Sequence, residues 1–125
     1  MLGPARRLLF AIALLLATSA SAADGFVPGI EDLPLMPGLR DRPGDSTVFD
    51  VPGGRIVEAW AEGVTSRDAV LSFYNTTLPQ LGWTPLGPGL FRREGEALRL
   101  EFPSTGPGGP QAAGRLYVRF YLSPG

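Results

Sequence analysis

The chain has 125 residues and a formal net charge of −1, with no cysteine and no histidine, and all eleven of its basic residues are arginine. That composition removes disulfides, thiol chemistry and thiolate metal sites, together with the commonest general base and metal ligand near neutral pH. The near-balanced charge gives no footprint for nucleic acid, and thirteen prolines with seventeen glycines predict many turns and short strands.

Arg6 and Arg7 precede an apolar run from Leu8 to Leu16, and small residues follow as far as Ala20 and Ala22. This is the pattern of a secretory signal peptide cleaved after Ala22, whereas a spanning helix needs about 20 apolar residues. No cysteine follows to carry a bacterial lipid anchor, and no later stretch is apolar enough to span. The expected product is therefore soluble and periplasmic, with no stable membrane anchor. Loss of Arg6 and Arg7 leaves nine arginines against twelve carboxylates, so the mature chain is near −3. The organisation expected is a signal peptide (1–22), an extended Pro/Gly-rich segment (23–45) and an α+β domain (46–125).

Asp24 to Asp45 holds four prolines and four glycines, which prevent a regular helix or a central strand. It also carries Phe26, Val27, Ile30, Leu33, Leu35, Met36 and Leu39, too many apolar groups for a solvating linker. Either they dock on this domain as a strap, or Leu33, Leu35 and Met36 anchor a partner. The chain's own surface is present at high effective concentration, which favours the strap.

Ser46–Val51 and Arg55–Glu62 flank Pro52, Gly53 and Gly54 and read as a β-hairpin. A two-residue turn would pair Val51 with Ile56. A three-residue turn would pair Phe49 with Val57 and place Ala59 and Ala61 beneath a helix, and it is the preferred register. Val64 to Trp83 predicts that helix, capped by Thr65 with Asp68 and closed by Pro79 and Gly82. Val70, Phe73, Tyr74, Thr77, Leu78 and Leu81 form its apolar stripe.

Short extended runs follow at 83–86 and 90–93, and then a half-buried strand at 97–102, with Leu98, Leu100 and Phe102 on one face. Pro103 to Gly114 reads as a mobile loop. In the last strand, 115–122, Leu116, Val118, Phe120 and Leu122 point one way, and Tyr117, Arg119 and Tyr121 the other. The element order predicts an α+β fold: a meandering antiparallel sheet with a single helix packed on one face, roughly ββαβββ.

DLPLMPGL at 32–39, PGGRIV at 52–57, Phe73-Tyr74 with Leu78-Pro79 and Leu81-Gly82-Trp83, and Phe91-Arg92-Arg93 occur in that order. Together they resemble a family of small exported proteins of proteobacteria. The resemblance implies export and a compact fold, and it supplies no catalytic or binding residues.

The function expected is a non-enzymatic periplasmic protein, without cofactor or metal, that binds an envelope protein or peptide. One candidate surface is the sheet face away from the helix, with Trp60, Arg99, Tyr117, Arg119 and Tyr121, because Tyr, Trp and Arg are enriched at interfaces. A homodimer through that face is a further form of it. The other candidate is the segment with Leu33, Leu35 and Met36. The alternative of a different class is a carboxylate-dependent hydrolase of envelope glycan using Glu58 and Glu62, which share a strand face.

Overall fold

The computed structural model describes residues 25–125, so the signal-peptide expectation lies outside the described residues. Among the described residues no helix is long and apolar enough to cross a membrane. The fold is α+β, with a seven-stranded antiparallel sheet carrying one helix on one face.

Two long alternating strands form its centre. β3 (Gly54–Gly63) sends Val57, Ala59 and Ala61 to the buried face and Ile56, Glu58, Trp60 and Glu62 to the other. β9 (Leu116–Pro124) does the same with Val118, Phe120 and Leu122 against Tyr117, Arg119 and Tyr121. The two pair antiparallel, with Ala59 opposite Phe120 and Trp60 opposite Arg119. Small alanines at 59 and 61 leave room for the large side chains of the layer above.

Helix α1 (Arg67–Thr77) carries the chain from β3 across the sheet to its far edge. From there β4 (Thr84–Gly87), β5 (Leu90–Arg93) and β6 (Glu96–Glu101) meander back until β6 meets β9. The strand order from that edge is thus β4-β5-β6-β9-β3. Beyond β3, β1 (Leu39–Asp41) pairs with one end of it and β2 (Thr47–Val51) with the other.

The helix starts one residue later than its sequence suggests. Ser66, not Thr65, is the N-cap, and its Oγ accepts the Ala69 N–H at 3.1 Å. Asp68 lies in the first turn, where a carboxylate meets the positive end of the helix dipole. Past Thr77 the chain tightens into a 3-10 turn, Leu78–Leu81, because proline near the start of a turn forfeits no hydrogen bond. Gly82, at φ 92°, reverses it, and the Trp83 N–H returns to the Leu78 carbonyl. The buried stripe is narrower than its periodicity implies: Val70, Tyr74 and Leu78 are fully buried, Phe73 is only partly buried, and Leu81 is 37% exposed.

The β2–β3 hairpin departs from both expected registers. Its turn has two residues, Pro52 at the second position and Gly53 at the third with φ 91°, and the pairs are Val51 with Gly54 and Phe49 with Ile56. Proline presets the first turn angle and glycine takes the positive φ that the second requires, so nothing longer is needed. The face assignment is nevertheless as expected, with Ala59 and Ala61 under the helix layer and Ile56, Glu58 and Trp60 opposite.

Residues 25–38 double back on themselves. The Val27 N–H donates to the Leu33 carbonyl and the Leu35 N–H to that of Gly25, with Phe26 and Pro34 bridged. The resulting strap places Val27, Ile30, Leu33 and Leu35 in the domain's own core, each contributing about 1.5–3 kcal/mol of gross transfer energy. Leu33, Leu35 and Met36 are therefore not free anchors: both leucines are buried, and Met36 packs half-buried against the same cluster. Three side chains tie the strap down, one of them Arg55, whose Nη1 donates to the Gly29 carbonyl at 3.1 Å. Tyr74 donates its hydroxyl to the Pro34 carbonyl, and Asp32 receives a forked pair of hydrogen bonds from Arg93. Arg93 also stacks 4.4 Å from the centre of the buried Trp83 ring.

The stretch expected to be a mobile loop instead forms a small hairpin, β7 (Thr105–Gly106) with β8 (Gly109–Pro110). Its backbone lies flat on Tyr117. A methyl group at Gly106 would stand 2.7 Å from that ring, so only glycine permits the approach.

Candidate functional site

The sheet face opposite the helix is built as cross-strand rows from β3, β9 and β6. One row runs Glu58, Tyr121, Arg99; the next runs Trp60, Arg119, Glu101; a third begins Glu62, Tyr117. Alternation along each strand puts all of these side chains on one surface, which no helix among the described residues covers.

Arg119 is the hub. Its Nε donates to Glu58 Oε2 at 2.6 Å and its Nη1 donates to Glu101 Oε1, while the guanidinium carbon lies 5.0 Å from the Tyr121 ring centre. Arg99 approaches the same ring at 5.3 Å and pairs with Glu101 at 2.9 Å. The planar guanidinium serves two carboxylates and an aromatic ring at once, which a lysine could not do. The charges largely satisfy one another, and the aromatic groups between them remain reachable.

At the β1 end a second cluster gathers on Glu62. Arg42 donates Nη1 to Glu62 at 3.0 Å and Nε to Asp45 at 3.0 Å, and Arg115 stands 3.6 Å from the same Glu62 oxygen. Trp60 lies edge-on to Tyr117, with ring centres 6.0 Å apart.

Of the side chains expected on this face, Trp60, Arg99, Arg119 and Tyr121 lie on it and are at least partly accessible. Tyr117 points the same way but is only 6% exposed, because the β7–β8 hairpin covers it. Leu33 and Leu35 are far from this surface in role as well as in sequence, since they belong to the core.

Glu58 and Glu62 share the face, yet four residues along a strand separate their backbones by roughly 13 Å. Trp60 stands between them, and each carboxylate is held by arginine. Glycoside cleavage needs its two carboxyl groups about 5–9.5 Å apart. Among the described residues no group of three or more acidic side chains is placed to hold a metal ion.

Arg42, Arg115 and the cover over Tyr117 escape sequence reasoning. Arg42 reaches Glu62 only because residues 39–41 pair with the end of β3, and no local pattern announces a strand so short and rich in charge.

Comparison of the chain with protein-family models, with curated proteins and with solved structures gave no match in any of the three.

Proposed function

We propose that this is an exported, non-enzymatic protein of the bacterial periplasm that binds another envelope protein or a peptide through the sheet face opposite the helix. The observation that carries the reading is the cluster of Trp60, Tyr121 and Arg99 on the part of this face that stays accessible among the described residues and whose charges are already paired. Such a surface offers aromatic area and planar donors without an unpaired buried charge, the combination that recognition surfaces favour. The signal-like N-terminus and the resemblance to small exported proteins support the compartment. The strap uses its own leucines internally, which removes them as anchors for a partner.

The test is the double variant Arg99→Ala with Tyr121→Ala, compared with the parent protein. Both side chains are accessible, so the fold should melt within about 1 kcal/mol of the parent. Loss of partner capture, or of self-association in sedimentation, with the fold intact would support the reading. Unchanged capture and unchanged self-association would sink it.

A further inference from the structure

The Glu62 cluster borders a cavity of about 280 Å³ between Arg42, the paired ends of β3 and β9, and the covering hairpin. Its polar wall is Arg42, Arg115, Glu62, Gln111 and the Tyr117 side chain; its apolar wall includes Pro110, Ala112 and Leu116. A neighbouring recess of about 440 Å³ shares Glu62 and Arg115 and adds Arg40. The two guanidinium groups that line the cavity, Arg42 and Arg115, face one lining carboxylate, Glu62, which leaves one net positive charge in its wall.

The donors are not exhausted. Arg42 uses Nε and Nη1, and among the described residues its Nη2 has no partner. Among the described residues the Arg115 guanidinium makes one ion pair, with Glu62 at 3.6 Å, too long to occupy its donors fully. A methyl group placed on Gly108 would stand 3.1 Å from the Tyr117 hydroxyl and 3.7 Å from Arg42 Nη2, so both groups converge on the space over that glycine. The cavity lies at the lower end of the roughly 300–1,000 Å³ of ligand pockets, so it suits a small group such as the end of a chain.

We infer that this cavity is a carboxylate-binding subsite, taking one carboxylate with a short apolar stem from a peptide or peptide-like molecule. A forked guanidinium matches a carboxylate, and one net positive charge balances a monoanion. Glu62, facing the same space, opposes a phosphate dianion. The inference goes beyond the sheet-face reading and does not depend on it.

The experiment follows backbone amide shifts of the purified protein by NMR during titration with acetyl-Ala-Ala carrying a free C-terminal carboxylate. Parallel titrations use its C-terminal amide, an amidated acetyl-Ala-Glu-Ala, and inorganic phosphate. Saturable shifts at Gly106, Gly108 and Arg115 with either carboxylate peptide, and not with the neutral amide, support the subsite. Which of the two peptides binds tells a chain-terminal carboxylate from a side-chain one. Arg115→Gln and Gly108→Ala should each weaken that binding about tenfold, the first by losing a charge-assisted donor and the second by filling the space. Phosphate binding as tightly as the carboxylates, equal binding of the amide, or no saturable shift at 10 mM, roughly the weakest affinity of interest, would overturn it. None of these outcomes bears on a partner held by Tyr121 and Arg99.

Discussion

The Tyr74 hydroxyl donates to the Pro34 carbonyl oxygen at 2.8 Å and accepts the Met36 N–H at 3.0 Å, so one phenol on the helix fastens the strap at two points. Removing it leaves a carbonyl and an N–H without partners beside the core. Tyr74→Phe should lower unfolding free energy by about 1–3 kcal/mol in urea titration. Burial also pushes the Tyr74 phenol well above its ordinary value of 10.0. A raised value means the folded state keeps the proton, so this contribution is complete below the ordinary phenol range and lost as pH rises above about 10. The parent should therefore destabilise in alkali more steeply than Tyr74→Phe.

The strap itself contributes core, which makes truncation a direct test of its role. Deleting residues 25–38 removes Val27, Ile30, Leu33 and Leu35 from a small domain whose total stability is about 5–15 kcal/mol. The truncated protein should lose its cooperative thermal transition and bind apolar dye. A truncated form that melts like the parent would show that the strap is dispensable.

Asp32 and Arg93 join the strap to the β5 end of the sheet, 61 residues apart in sequence. The hydrogen bonds from Arg93 hold the Asp32 carboxyl below its usual value of 3.8. A lowered value stabilises the fold at pH above that range, and the contribution fades as pH falls through the folded value. Asp32 is half exposed, so Asp32→Asn should cost no more than about 1 kcal/mol at pH 7. The difference between parent and variant should shrink as pH falls below the ordinary carboxyl range and through the lowered folded value.

Along the helix, burial rather than size ranks the side chains. Leu78 is fully buried and Phe73 only partly, although Phe73 is the larger. Leu78→Ala should cost about 2–5 kcal/mol. Phe73→Ala should fall below the 3–5 kcal/mol of a fully buried phenylalanine and leave a folded protein by circular dichroism.

The sheet and its two faces were legible because β3, β6 and β9 alternate without interruption, and a period of two assigns every side chain at once. The helix was legible from Val70, Tyr74 and Leu78, but its cap was displaced by one residue, since Thr65 and Ser66 are chemically equivalent and only the backbone decides between them. Register was not legible: face assignment constrains Ala59 and Trp60, while the pairing of Phe49 depends on a turn whose length the Pro-Gly-Gly sequence leaves open. The Arg42–Glu62–Arg115 cluster was hidden for a similar reason, as its members come from three separated segments brought together by pairing. Tyr117 was read correctly in direction and not in exposure, because the hairpin over it is made of residues that carry no apolar signal.

The most direct test of the binding-face reading is site-specific photo-cross-linking in living cells. A benzoylphenylalanine would replace Tyr121 on the sheet face in one variant and Ser72, exposed on the helix, in another. A discrete cross-linked product from position 121, absent from position 72 and lost on adding Arg99→Ala, is the predicted result. No product from position 121, or the same product from both positions, would contradict it.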